Sequence, residues 1–411
     1  MPAQKKIPVS ELRLGMHLHA LDGPWLEHPF WRTKFVLTDD AAIRAILASG
    51  IRFCWIDVSR GLDVLPGESA AGPAPAGVAP ARSIEPAPQA VPAPSVSFED
   101  ELAQAARLCK KSKQAVQQLF AEARMGKALS VQACQPLVDE LAASVFRNPG
   151  ALVSLARLKT KDDYSYMHSV AVCALMVVLA RELGLDARTC REAGLAGLLH
   201  DVGKALMPLE VLNKPGKLTD AEFAVMRSHP VRGHALLLEG GGAGEVALDV
   251  CLHHHEKFGG GGYPHGLAGE AIAPMVRMAA ICDVYDAVSS NRPYKSAWDP
   301  ADAISRMAAW TGHFDPTLFA VFVKSLGIYP TGSLVRLRSG RLAVVIKQHP
   351  GNLTAPTVKV FFSTRSNMPI GITQIDLSRA DAGDAIVARE PRDKWSFPQL
   401  DALWAGEAGR R

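Results

Sequence analysis

The hydrophobic rhythm of the chain changes twice along its length, and each change marks a different kind of element. Near the N-terminus the pattern is short-range. Lys34-Phe35-Val36-Leu37 and Ile51 to Val58 read as strands, and Ala41 to Ala48 reads as a helix between them. Asp39 or Asp40 would cap that helix and Gly50 would end it. From Phe98 to Leu326 apolar residues recur at the spacing of a helix face. This predicts amphipathic helices over Phe98 to Met125 and Val131 to Phe146, and largely buried ones over Ser169 to Leu183 and Arg188 to Asp201. Further helices are expected around Asp220 to Leu238, Glu245 to His255, Ala273 to Ser289 and Pro300 to Trp310. Beyond Tyr329-Pro330 the rhythm shortens again, giving strands over Leu334 to Leu337, Leu342 to Ile346 and Val358 to Phe362.

A compositional break separates the first region from the second. Residues 66–97 are built from Ala, Pro and Gly and hold eight of the 28 prolines, which makes them a semi-extended spacer unable to pack a core. The expected organisation is therefore a small α/β N-terminal module over 1–65, the linker over 66–97, and a helical connector over 98–150. A main helical domain over 151–330 and a β-rich C-terminal appendage over 331–411 complete it. The fold class is mainly α. A length of 411 residues agrees with two or three domains at roughly 150 residues each.

Composition narrows the function. Hydrophobic residues make up 48% and charged residues 21%, which excludes a chain disordered throughout. A net charge of +4 is too small for the dense basic face that a nucleic-acid polymer requires. Met1 to Lys6 leads into no apolar run with a small-residue cleavage site, so no secretory signal is expected. The longest apolar run, Val170 to Ala180, falls short of the ~20 residues of a membrane span. The seven cysteines are scattered without a Cys-x-x-Cys pair, and Cys173, Cys251 and Cys282 sit among apolar neighbours as reduced core thiols. A cytoplasmic protein is expected.

The 13 histidines are unevenly placed. His168, His200-Asp201, His229 before Pro230, and His253-His254-His255-Glu256 fall at predicted helix ends, and Asp283 follows the apolar run Met275 to Cys282. Imidazole with carboxylate suits divalent Fe, Mn, Co, Ni or Zn. A carboxylate can bridge two ions, and a water between them becomes a hydroxide nucleophile near neutral pH. Singly, a His-Asp is better explained by a satisfied hydrogen bond, and the triple His equally well by a solvated helix end. Five separated sites in one helical region, with a carboxylate inside an apolar segment, favour a metal centre.

These residues resemble a known family. His168, His200-Asp201-Val202-Gly203-Lys204, His229-Pro230, His254-His255-Glu256, Gly262-Tyr263-Pro264 and Asp283 match the HD-GYP family of bacterial cyclic di-GMP phosphodiesterases, within the HD metal-hydrolase superfamily. Asn213 to Thr219, Asp286-Ala287, Arg292-Pro293-Tyr294-Lys295 and Phe314-Asp315-Pro316 add to the match, which spans about 152–326. Val9 to Val58, with Leu14-Gly15-Met16 and Pro24-Trp25, resembles the small domain of unknown function that often precedes it.

The resemblance implies a helical HD-type metal-hydrolase domain holding two divalent ions, with Fe or Mn ahead of Co, Ni or Zn. His168, His200, Asp201 and Asp283 would hold one ion, and Asp201 would bridge to a second held by His229, His254 and His255. Lys204 would stabilise phosphate charge or protonate the leaving ribose oxygen. Arg292 and Lys295 would bind phosphate, and Tyr263 the substrate. The reaction implied is hydrolysis of cyclic di-GMP to the linear dinucleotide, or onward to GMP. The Gly-Tyr-Pro loop would also dock protein partners, diguanylate cyclases for example. The polar side of Phe98 to Met125, with Lys110, Lys111 and Lys113, is either a solvated face or a homodimer face.

Two departures bear on this. Some members carry a Glu four residues before the first His and gain a third metal; Tyr164 stands there, which favours two ions. The family loop reads Asp-Gly-x-Gly-Tyr-Pro, whereas Gly259 to Gly262 are four glycines, so a more mobile loop is expected. The alternatives to an active enzyme are therefore a cyclic di-GMP-binding signalling protein without turnover and an HD phosphohydrolase of another nucleotide. Gly240 to Gly242 reads as a turn, His17, His19 and His28 as non-ligands, and His265 as a loop residue. His313 reads as structural, with Asp315 as a brace behind the site.

Overall fold

The structure is a computed structural model describing residues 4–21, 35–37, 40–48, 53–62, 96–127, 129–159, 164–291, 297–349, 352–395, 397 and 399–409. It divides into two compact units, Met1–Val91 and Pro92–Arg411. Nearly all of the expected spacer at 66–97 lies outside the described residues, as do Pro24, Trp25, His28, Asp39, Gly50, Arg292 and Lys295.

In the first unit β1 (Gln4–Pro8), β2 (His17–Leu21), β3 (Phe35–Val36) and β4 (Phe53–Asp57) form an antiparallel sheet in the order β1-β4-β2-β3, with helix α1 (Asp40–Ala48). Ile7, Met16, Leu18, Leu37, Ile46, Cys54 and Ile56 fill its core. The sequence pattern predicts β3, α1 and β4. It misses β1, whose Gln4, Lys5 and Lys6 leave no apolar alternation to read, and β2, whose His17-Leu18-His19-Ala20-Leu21 alternates over five residues alone.

The second unit begins at α2 (Phe98–Arg124), capped by the Ser97 side chain, which accepts from the Asp100 N–H. Then follow α3 (Gln135–Arg147), α4 (Pro149–Arg157), α5 (Tyr164–Glu182), α6 (Ala187–Leu199), α7 (Leu209–Leu212), α8 (Asp220–Met226) and α9 (His229–Gly240). After these come α10 (Glu245–His253), α11 (Pro274–Ser289), α12 (Pro300–Ala308) and α13 (Pro316–Leu326). Helix α5 is the centre: every residue from Met167 to Ala180 is buried, and it packs against α2, α3, α4, α6, α11 and α13. A helix apolar all round belongs inside a core. Its window Ser165–Glu182, with mean hydropathy 1.2, would meet the length and composition of a membrane span, yet 78% of it is buried within the protein.

Helices α2 to α4, at the connector positions 98–150, share one core with the helices that follow. A second difference carries more consequence. The helix expected over Asp220 to Leu238 is two helices, α8 and α9, and the break falls at Arg227 and Ser228. Pro230 occupies the first turn of α9, where a missing N–H costs nothing, whereas in one continuous helix that N–H would have had to donate to the Met226 carbonyl. The break sets His229 at a helix start.

The C-terminal strands β5 (Leu334–Leu337), β6 (Arg341–Lys347), β7 (Thr357–Ser363), β8 (Met368–Asp376) and β9 (Ile386–Arg389) form an antiparallel sheet in the order β8-β7-β6-β5-β9. Alternation divides its side chains between two cores. Leu342, Val344 and Ile346 of β6 join the helical core, whereas Ala343 and Val345 join a separate cluster with Val335, Val358 and Val360. A short helix, α14 (Ala402–Ala405), carries the buried Trp404. At the end of α4, Arg157 donates to the Thr331 carbonyl at 2.9 Å, and its guanidinium lies 5.7 Å from the Trp404 ring centroid.

Candidate metal centre

Five helix ends or helix faces deliver the chemistry. His168 lies in the second turn of α5, His200 and Asp201 follow α6, and His229 opens α9. His254 and His255 follow α10, and Asp283 lies on α11. Their ligand atoms form two groups: His168, His200 and Asp283, and Asp201, His229, His254 and His255, each within 4.8 Å of one another. All are buried except His255, which is partly exposed.

Asp201 stands between the groups. Its Oδ2 lies 3.5 Å from His168 Nε2 and 3.3 Å from His200 Nε2, whereas its Oδ1 lies 3.1 Å from His229 Nε2 and 3.6 Å from His254 Nε2. Asp283 faces His168 Nε2 at 3.0 Å through Oδ1 and His255 Nδ1 at 3.8 Å through Oδ2. Lys204 Nζ donates to Asp201 Oδ2 at 2.5 Å.

The outward-facing ring nitrogens are occupied. Nδ1 meets the Gly197 carbonyl in His200 (2.8 Å), the Met226 carbonyl in His229 (2.8 Å) and the Val250 and Cys251 carbonyls in His254 (both 3.1 Å). Those bonds fix the tautomer that turns a bare Nε2 inward, the arrangement of metal-ligating histidines. Among the described residues, His200 Nε2 and Asp201 Oδ1 are buried without a hydrogen-bond partner of good geometry. Orphaned inward acceptors in a His/Asp set fit divalent ions.

Electrostatics agree with that chemistry. Burial opposes the Asp201 carboxylate, but Lys204, His200 and His229 together hold its carboxyl well below the usual range. Burial likewise opposes Asp283, and His168, His255 and His200 outweigh it to push its carboxyl down. Burial pushes His229 and His255 down, which favours neutral imidazole. His168 differs: burial lowers it, but its bonds to Asp283 and Asp286 prevail and raise it.

The Gly-Tyr-Pro loop closes one side. The Tyr263 ring lies 4.7 Å from the His255 ring, and the Arg227 guanidinium lies 4.6 Å from the Tyr263 ring centroid. Glu256 holds the loop by accepting from the His265 N–H at 2.7 Å and the Gly266 N–H at 3.0 Å. At two of the four glycines, Gly259 and Gly262, the backbone passes too close to its neighbours to admit a side chain. Gly259 N–H donates to the Gly312 carbonyl at 2.7 Å, and a Cβ on Gly259 would meet that oxygen at 2.9 Å. A Cβ on Gly262 would stand 2.4 Å from Glu256 Cα.

Arg292 and Lys295 lie outside the described residues, and nothing of the Tyr164 side chain is described. His253 faces away from the groups, toward Asp249 at 2.6 Å and His265 at 2.8 Å. Asp315 caps α13 and pairs with Arg277 at 2.7 Å, so it braces the helix that carries Asp283. Nothing in the sequence marks Lys159, Arg227 or the anchoring role of Glu256. Asp286 was legible as a motif partner, one helical turn beyond Asp283, but not as the group that holds His168 at 2.6 Å.

The family described as HD domain matches residues 141–318, and a domain of unknown function (DUF3391) matches residues 4–134. A cyclic di-GMP phosphodiesterase of Pseudomonas aeruginosa is 52% identical over 98% of this chain and 96% of its own. The chain belongs to the HD-GYP family. Two other relatives match over smaller shares of the chain. A cyclic di-GMP phosphodiesterase response regulator of Xanthomonas campestris is 44% identical over 34% of this chain and 37% of its own. A 3'3'-cGAMP-specific phosphodiesterase of Vibrio cholerae is 35% identical over 40% of this chain and 38% of its own. The match to the domain of unknown function runs beyond the first compact unit, through α2 to the start of α3.

Proposed function

We propose that this chain is a metal-dependent phosphodiesterase that hydrolyses cyclic di-GMP to the linear dinucleotide. The observation that carries the reading is Asp201, whose two oxygens face two separate histidine sets. The 52% identical relative, named for the same activity over nearly its whole length, supports the substrate. Two divalent ions bound there, Fe or Mn by preference, would supply a Lewis acid for the phosphoryl oxygen and an activated water at neutral pH.

The chain's own groups have distinct tasks in this reading. Asp201 stays ionised because Lys204 and the histidines surround it, so it remains a two-oxygen ligand. Lys204, at the edge of the groups with a partly exposed side chain, is positioned to offset charge on the phosphate or to hand a proton to the departing ribose oxygen. Tyr263, tilted against His255 with the Arg227 guanidinium over its ring, stands beside the second group of ligands, where it would contact the substrate. Arg292 and Lys295 would hold phosphate.

The deciding experiment purifies the full chain anaerobically, counts its metal and assays cyclic di-GMP beside 3'3'-cGAMP. The expected outcome is two ions per chain and cyclic di-GMP as the better substrate, with Asp201→Ala losing both ions and turnover. Binding of cyclic di-GMP without cleavage by the metal-loaded protein would favour a signalling protein, and preference for 3'3'-cGAMP would reassign the substrate.

A further inference from the structure

Behind the first group of ligands lies a second, fully buried layer that the chemistry above does not use. Lys159 follows α4, and its side chain is entirely removed from solvent. Its Nζ lies 2.5 Å from Asp286 Oδ2, itself buried on α11. The same oxygen lies 2.6 Å from His168 Nδ1, and the Ser290 hydroxyl donates to Asp286 Oδ1 at 3.1 Å. A lysine is rarely buried, since desolvating an ammonium is costly unless good partners compensate it. Here one carboxylate oxygen serves two groups on different elements.

We propose that Lys159 is a positioning residue for the metal centre: it fixes Asp286, and Asp286 fixes the His168 ring with Nε2 toward Asp283 and Asp201. The inference rests on the two-ion reading. The geometry distinguishes His168 from its fellow ligands. His200, His229 and His254 take their outer bonds from backbone carbonyls that belong to helices, which hold still without help. His168 takes its outer bond from a carboxylate side chain, which has rotamers to lose. Lys159 approaches from the end of α4, opposite in origin to α11, and closes off that freedom. Outer partners of this kind are worth roughly 10–100-fold in metal affinity.

The test uses Mn(II) added to the full chain stripped of metal. Wild type should bind two ions, with the magnetic coupling of a closely spaced pair. Lys159→Met should bind one at the concentration that fills wild type, give the resonance signal of isolated Mn(II), and need roughly 10–100-fold more Mn(II) to fill the second. Lys159→Met leaves a buried carboxylate without its cation, so Lys159→Met with Asp286→Asn serves as a variant without that charge. It should keep the wild-type circular dichroism and show the same one-ion behaviour. A folded variant of either kind that binds two coupled ions with wild-type affinity overturns the role of Lys159 alone. Wild type holding a single ion overturns the two-ion reading, and the inference with it.

Discussion

At the scale of single residues, the ligand set was the most legible part of the molecule. Histidines and aspartates that break an apolar pattern have no packing reason to be there, and His168, His200, Asp201, His229, His254, His255 and Asp283 all converge. The loop glycines were less legible, because a glycine chosen for freedom and one chosen for close approach look alike in sequence. Gly259 is of the second kind, pressed against the Gly312 backbone. Restoring the family aspartate with Gly259→Asp should therefore lower stability by about 1–3 kcal/mol, as overpacking does, without raising turnover. Thermal melts with a cyclic di-GMP assay on the same samples check this, and a variant of unchanged melting temperature and higher turnover would refute it. Lys159 was not legible at all. Nothing in Arg157-Leu158-Lys159 announces that the last of the three is buried.

At the scale of elements, periodicity located most helices and missed what interrupts them. The break between α8 and α9 follows from Pro230, and Thr219 with Glu222 starts α8 with a reciprocal cap, in which each side chain accepts from the other's backbone N–H. Another contact ties α2 to α3. Glu101 on α2 is buried and accepts from Arg147 at 2.7 and 2.8 Å and from the Ser144 hydroxyl at 2.7 Å. Burial opposes its ionisation, but Arg147 and Ser144 prevail and hold the carboxyl below the usual value. A carboxyl that is more acidic folded than unfolded stabilises the fold above the usual glutamate value of about 4.3, and that contribution fades as the pH falls below it. Glu101→Gln should cost about 2–4 kcal/mol near neutral pH, less than a wholly sequestered pair because Arg147 keeps some access to water. Urea unfolding of both proteins at neutral pH and near pH 3 should show the gap closing in acid. A gap independent of pH would mean that the contact acts through shape instead of charge.

At the scale of the whole molecule, the sequence divided the chain by composition, and packing divides it differently. The spacer coincides with the boundary between the two compact units, but the connector and the C-terminal strands share the core of the helical domain. Leu334, Leu342, Val344 and Ile346 present one face of the sheet to that core. The alternation of β6 was readable, but a sequence does not say which neighbour each face will meet. Removing residues 331–411 should thus expose a continuous apolar surface and leave the remainder insoluble or without a cooperative melt, whereas residues 92–411 alone should melt cooperatively. Size-exclusion chromatography and calorimetry of the two fragments test this. A stable, soluble fragment ending at 330 would show the sheet to be dispensable.

The contact of Arg157 with Thr331 and Trp404 bears on how the protein is made. The chain leaves the ribosome at roughly 5–20 residues per second, so Arg157 emerges many seconds before either partner exists. Lys159, two positions on, waits through that interval while the end of α4 lacks this contact. On the proposed role of Lys159, ions offered to the nascent chain would meet a ligand set whose support is not yet anchored.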